Sequence, residues 1–390
     1  MDSLKKLAQK HHESVIALRR HFHMHPELST QEFNTQKKIM EVLTELGLTP
    51  KAIAKTGVMA DLKGAKPGRC IAIRADMDAL KLQDECGKPY QSQNSGVCHA
   101  CGHDGHVAML LGVAKVLVDY KENLSGTIRF LFQPSEEHFP GGAIFMIQDG
   151  ALEGVDAIIG AHLWQPVPSG SIGIKSGRFM ASPDEFTITI QGKGGHGSMP
   201  HQTIDALLVA SQIAVALNTV VSRSIDPLEQ AVLSLGYLHS GDTFNIIPDK
   251  AVIKGTVRSF DRSIHNLIFD RIHAITKGIC ESAGATYTID TVDSYPALIN
   301  EETTTNAIIQ AAKESLGEDK VIAVNPSMGA EDFSYYVEKV PGAFMFVGIA
   351  NEAKGIVYPQ HHPKYDIDED TLAYGMEVMA RTAANLAAEK

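Results

Sequence analysis

The sequence predicts an α/β protein in which a larger, mixed-sheet unit is interrupted by a smaller α+β unit, and three observations predict it. In the first half, apolar strand-like runs lead to chemically active residues: residues 70–74 reach Asp76 and Asp78, residues 126–132 reach Glu136 and Glu137, and residues 155–159 reach His162. Open α/β sheets gather their sites at such strand ends. Around residues 177–184 the rhythm changes to strand, helix, two strands, helix, strand, the order of four strands backed by two helices. The first rhythm then returns, so the expected division is 1–183 with 295–390 around an inserted 184–294.

Each element has a local reason. Leu7, Val15, Leu18 and Phe22, with polar residues between them, suit an amphipathic helix over 4–23 that His25-Pro26 stops. Ser29-Thr30-Gln31-Glu32 reads as a capping box for a second helix running to about Leu46 and ended by Gly47. Strands follow at 57–62 and 70–74, the latter apolar enough to be buried. A helix covers 107–117, a strand 126–132, and Gly141-Gly142-Ala143 opens another helix. In the insert, strands are expected at 186–191, 230–238, 250–259 and 285–292, with helices at about 203–220 and 262–282; the chain closes with a helix over about 370–388.

Composition excludes several classes. With 44% hydrophobic and 21% charged residues in 390, the chain reads as an ordinary globular protein with ample core. A formal net charge of −11 without any Lys/Arg-rich arm argues against nucleic acid as a partner. No apolar run is long enough to cross a membrane, and the opening residues lead into an amphipathic stretch rather than a signal peptide. Cys70, Cys86, Cys98, Cys101 and Cys280 make no disulfide framework in a chain this long, so a cytoplasmic protein with reduced thiols is expected.

The densest chemistry lies in Cys-His-Ala-Cys-Gly-His-Asp-Gly-His, from Cys98 to His106. Soft and borderline ligands crowded in this way point to a metal, with Cys101 and His103 able to face one ion across a glycine turn ahead of a helix. The spacing fits neither a zinc finger nor a His-Glu-x-x-His helix, so further ligands must come from elsewhere. Cys98 and Cys101 also form a C-x-x-C, which leaves open a thiol-redox or structural-metal protein, although the helix begins too late for the redox motif. His99 and His106 read as supporting residues. Glu136-Glu137 pairs like charges where the backbone leaves a sheet, an arrangement a dinuclear metal would stabilise while one carboxylate acts as general base. Asp76 and Asp78 face the same way on an extended backbone and read as acceptors orienting ligand histidines, with a plain turn as the alternative. His162 and His361 are the remaining imidazole candidates; Arg258 could clamp a substrate carboxylate.

Taken together, His-Pro-Glu-Leu-Ser (25–29), Arg-Ala-Asp-Met-Asp-Ala-Leu (74–80), Cys-Gly-His-Asp-Gly-His (101–106), Gln-Pro-Ser-Glu-Glu (133–137), Gly-Lys-Gly-Gly-His-Gly-Ser (192–198), Gly-Ala-Glu-Asp-Phe (329–333) and His-His-Pro (361–363) resemble the aminoacylase/carboxypeptidase metallopeptidase family, in its hippurate hydrolase and indole-acetyl-amino-acid hydrolase branch. The resemblance implies a zinc-peptidase-like catalytic domain with an inserted ferredoxin-like lid and dimerisation domain. It implies two divalent metal ions, of manganese, zinc, nickel or cobalt, held by Cys101, His103, Glu137, His162 and His361. Glu136 matches the family's general base and His196 its oxyanion-stabilising lid histidine, which can act on a partner subunit. Asn245 and Arg258 match lid residues near the substrate carboxylate. The chain departs from the family at Lys81, usually Pro, and at Cys98, usually Met; neither is an implied ligand. The implied reaction is hydrolysis of an N-acyl or N-aroyl L-amino acid by a homodimer or higher homo-oligomer, with a carboxypeptidase or dipeptidase of the same family as the near alternative.

Overall fold

The computed structural model describes residues 3–292 and 294–389. They form two compact units, one made of the residues up to Phe179, Ile299–Pro326 and the stretch from Asp332 onward, the other of Met180–Leu298 with Ser327–Glu331. Each has its own apolar core.

The first unit is built on an eight-stranded mixed sheet, in the order Lys51–Ile53, Gly57–Lys63, Ser125–Gln133, Lys66–Asp76, Ala157–Pro168, Gly342–Ala350, Ile172–Ile174, Val321–Ala323. Its central strands, Ser125–Gln133, Lys66–Asp76, Ala157–Pro168 and Gly342–Ala350, run parallel to one another. The closing half of Lys66–Asp76 is buried at successive residues, and Gly342–Ala350 is buried almost throughout. Parallel strands covered on both faces have this unbroken apolar character. Helices Ser3–Met24, His103–Asp119 and Thr371–Ala388 pack together. They approach closely at Gly112, where a Cβ would come within 2.8 Å of Val15 and 2.1 Å of the Met376 sulfur. No helix among the described residues is long and apolar enough to cross a membrane.

Three local expectations change. The helix expected over 107–117 begins at His103, directly after the Cys98–Cys101 turn, so a late helix start does not count against the C-x-x-C reading. The second helix runs Phe33–Glu45, and the expected capping box does not form: Glu32 occupies the N-cap position without a side-chain cap bond. The cap comes from Glu27, whose carboxylate accepts the N–H groups of Asn34 at 3.2 Å and Thr35 at 2.8 Å. Glu32 is engaged in tertiary contacts instead, accepting from Ser135 N at 2.9 Å and from the Thr56 hydroxyl at 2.7 Å. Ser29 donates to Asp78 at 2.7 Å. His162, expected beyond a strand end, lies inside Ala157–Pro168, because the neighbouring strand continues alongside and sets Phe346 opposite it.

The second unit is a four-stranded antiparallel sheet ordered Ala231–Ser240, Lys250–Ser259, Ser182–Gln191, Thr286–Val292. With helices Ala206–Leu217 and Arg262–Ala283 between the strands, the chain order and sheet order are those of a ferredoxin-like βαββαβ unit. Phe186, Ile188 and Ile190 alternate inward and meet Val209, Ile213, Ile268 and Ile272 in the core. Asp261 starts the long helix by accepting from Ser263 N at 2.8 Å, and Gly284 ends it at φ +74°.

Candidate metal centre

The site grows from the turn ahead of the His103–Asp119 helix. Gly102 is the helix N-cap at φ +87°, and a Cβ there would sit 2.6 Å from the Tyr365 hydroxyl, so glycine alone permits the turn. It places Cys101 and His103, both buried, toward the ends of the central strands. Cys101 Sγ lies 3.4 Å from His162 Nε2. His162 Nδ1 lies 2.9 Å from the Leu163 carbonyl, which assigns the proton to Nδ1 and leaves the Nε2 lone pair facing the thiol.

The remaining donors arrive on strained backbone. Glu136 and Glu137 follow Ser135, which sits at φ +57° and is held there by Glu32 and by the Thr30 N–H, 2.7 Å from its hydroxyl. His361 sits at φ +64°, its N–H donating to the Ala100 carbonyl at 2.8 Å, which ties it to the cysteine turn. Its Nε2 lies 3.3 Å from Glu137 Oε1, and His103 Nε2 lies 4.0 Å from the same oxygen. Donor atoms of Cys101, His103 and His162 fall within 4.8 Å of one another, as do those of Cys101, Glu137 and His361 and those of His103, Glu136 and Glu137. These overlapping sets share Cys101, Glu137 and His103, a layout suited to two adjacent cations.

Asp78 orients this assembly. Its carboxylate accepts from Glu136 N at 3.1 Å, Glu137 N at 3.0 Å and the Ser29 hydroxyl at 2.7 Å, and stands 3.3 Å from His103 Nδ1. With Nδ1 turned to Asp78, His103 Nε2 is left as the coordinating nitrogen. Asp76 plays the same part for His106, whose Nδ1 is 2.5 Å away, while His106 Nε2 accepts from Leu163 N at 2.8 Å. Both nitrogens of His106 are thus engaged, and the residue supports the site by stacking on His103 and lying edge-on to His162.

A network that the sequence reading left without a role holds Asp76 and the glutamate loop. Arg74, fully buried, donates to Asp76 at 2.7 Å, Gln133 at 2.8 Å and Asp332 at 2.7 Å; Asp332 also accepts from Gln133 and, at 3.0 Å, from Ala143 N. Gly142 closes the same loop, since a Cβ would meet the Pro134 carbonyl oxygen at 1.7 Å. The available signal was a charged residue inside an otherwise apolar strand, which burial tolerates only with partners.

The electrostatics call for a cation. Burial pushes the Cys101 thiol well up, and the Glu137 and Glu136 carboxylates push it further, so a thiolate there needs positive charge beside it. Burial and the neighbouring His106 hold the His162 imidazole neutral, as coordination requires. Burial opposes charge on His103, but Asp76 and Asp78 carry it up to about 10. His103 Nε2 and Glu137 Oε1 are buried without a hydrogen-bond partner. Such groups are costly unless something binds them, and the thiol, imidazole and carboxylate donors fit borderline divalent metals.

Cys98 is fully buried in the apolar core, its thiol raised by burial and then by the charges of Asp84 and Asp104. His196, Asn245 and Arg258 belong to the second unit. His196 lies in the short strand Gly195–His196 paired with Ile246–Ile247, and the Asn245 carbonyl accepts from Gly197 N at 2.9 Å. The N–H of Ser198, 3.1 Å from His196 Nδ1, assigns the imidazole proton to the exposed Nε2. Arg258 is half buried in Lys250–Ser259, opposite Pro183.

The sequence model of peptidase family M20/M25/M40 matches residues 72–385. An N-acyl-L-amino acid amidohydrolase of Geobacillus stearothermophilus is 49% identical over 300 residues, covering 77% of this chain and 81% of that protein. Thermostable carboxypeptidase 1 of Saccharolobus solfataricus is 41% identical, covering 96% of both chains. Among solved structures, a Bacillus subtilis dinuclear metal binding peptidase of the M20 family superposes with a TM-score of 0.84 at 36% identity, covering 97% of this chain and 99% of that one.

Proposed function

The chain belongs to peptidase family M20/M25/M40, and from that premise we propose that it is a dinuclear-metal amidohydrolase cleaving N-acyl or N-aroyl L-amino acids into a carboxylic acid and a free amino acid. The observation that carries this reading is the convergence of Cys101, His103, Glu137, His162 and His361 with the Glu136 carboxylate among them. These five residues would hold the ions. When bound, the metals lower the pKa of water and polarise the substrate carbonyl.

The protein's own part is to place and move protons. Glu136, anchored by its backbone on Asp78, takes the proton of the attacking water and returns it to the substrate nitrogen as the C–N bond breaks, releasing a neutral amine. His196, with Nε2–H exposed, donates to the oxyanion, and Asn245 and Arg258 receive the substrate carboxylate.

Purified enzyme should hydrolyse hippurate and N-acetyl amino acids at least tenfold faster in kcat/KM than dipeptides, as scored by ninhydrin detection of the released amine, a discrimination within reach of one substrate group matched or mismatched by its pocket. Chelation should abolish turnover and divalent metal restore it. Comparable rates on dipeptides would favour the carboxypeptidase alternative, and chelator-resistant turnover would refute the metal centre.

We further assign the second unit to self-association and the protein to the cytoplasm, where the five cysteines stay free. Ala231–Ser240 is an edge strand with Tyr237 and Leu238 exposed, and Leu207, Leu208, Val215 and Phe244 are exposed on the same unit. An apolar, unpaired edge of this kind favours pairing with a second copy. Sedimentation equilibrium should give twice the chain mass; a single-chain mass would refute the dimer.

A further inference from the structure

We propose a separate cation site, for a thiophilic divalent ion such as zinc, formed by His23, Asp84 and Cys86. His23 lies near the end of the Ser3–Met24 helix, while Asp84 and Cys86 lie on the loop between the Lys66–Asp76 strand and the His103–Asp119 helix. Their donor atoms all fall within 4.8 Å of one another. His23 Nε2 is 3.2 Å from Asp84 Oδ2 and 4.0 Å from Cys86 Sγ. Around a tetrahedral zinc, the usual bond lengths place a nitrogen and an oxygen ligand roughly 3.3 Å apart and a nitrogen and a sulfur roughly 3.6 Å apart. The three side chains already stand close to those separations.

Their surroundings suit the same role. His23 Nδ1 is 2.7 Å from Asp104 Oδ2, the carboxylate support that orients a coordinating imidazole and leaves Nε2 to the metal. Asp84 is fixed by the N–H groups of Cys86 at 2.9 Å and Ser92 at 2.8 Å, so its carboxylate is presented without reorganisation. His23 and Asp84 are buried, whereas Cys86 is half buried, which gives an ion a route in and a water a fourth position. Arg19 approaches His23 Nδ1 at 3.3 Å, but its charge is met by Asp104, Asp366 and Glu369. With no ion present, a proton on Nε2 joins His23 to Asp84; ion binding releases that proton and the thiol proton of Cys86 to solvent.

The trio shares no residue with the centre described above, and is linked to it through Asp104, the residue after His103. An ion here would pin the first helix to the loop that leads into the cysteine turn.

The test compares wild type with Cys86→Ser. Each is equilibrated with excess zinc, freed of loosely held metal by gel filtration, and analysed by inductively coupled plasma mass spectrometry. Wild type should carry one more zinc ion per chain than Cys86→Ser, and the variant should keep wild-type hydrolysis, which also shows that it folds. In metal-loaded wild type, zinc should slow iodoacetamide labelling of Cys86 about tenfold while magnesium has no such effect, because a coordinated thiolate is masked. Should the variant not fold, the labelling alone decides. Equal zinc contents, or labelling unaffected by zinc, would overturn the site and leave His23, Asp84 and Cys86 as an ion-pair network. The difference between two proteins is read, so the result stands apart from how many ions the proposed catalytic centre holds.

Discussion

Glu136→Gln is expected to lose about 10²- to 10⁴-fold in kcat while retaining its full complement of metal, the range associated with removing a positioned general base. The substitution preserves volume and leaves the Glu136 N–H free to donate to Asp78 at 3.1 Å, so the loop that also carries Glu137 has no reason to move. What is removed is the capacity to accept and return a proton, together with the carboxylate's negative charge. Such a loss corresponds to about 3–5 kcal/mol of transition-state stabilisation. Metal analysis and steady-state kinetics on one preparation separate the possibilities. If metal content falls with turnover, Glu136 is a ligand rather than a base; if turnover stays near wild type, another group moves the proton.

Where sequence patterns were local, they were legible. The alternation of apolar runs and the change of rhythm near residue 180 reflect the periods of strands and helices, which are properties of neighbouring residues. The i, i+2 spacing of Asp76 and Asp78 carried their orientation toward one side of an extended backbone, where His106 and His103 meet them. Illegible features depended on partners far along the chain. Arg74 and Asp332 are 258 residues apart, and nothing in either local sequence announces the other. The motif around Ser29 and Glu32 failed as a capping box for the same reason: Asp78, Thr56 and Ser135, distant in sequence, engage those side chains while Glu27 caps the helix from outside the motif. Positive φ at Ser135 and His361 also had no sequence marker, because these strained positions are imposed by tertiary hydrogen bonds rather than chosen by glycine.

Asp78→Ala should produce the largest structural effect at the site. One carboxylate receives the backbone of both glutamates and the Ser29 hydroxyl and faces the Nδ1 of His103, so its loss releases three chain segments at once. Buried donors left without an acceptor cost roughly 1–3 kcal/mol each, and a lost carboxylate partner for a coordinating imidazole weakens metal affinity about 10- to 100-fold. Chelator competition should show that weakening, and thermal melting should show destabilisation. Ser29→Ala supplies the discriminating control: it removes only the hydroxyl donor to Asp78 Oδ2, an oxygen that still accepts from Glu137 N, and leaves Oδ1 facing His103 Nδ1, so stability should fall slightly while metal affinity stays near wild type. Asp78→Asn should fall between the two, since its carbonyl oxygen still accepts from one backbone N–H while its amide group opposes a remaining donor. Were Asp78→Ala to lose stability with unchanged metal affinity, Asp78 would be a fastening of the fold alone, and the orientation of His103 would have to come from Asp76, 3.8 Å from the same nitrogen.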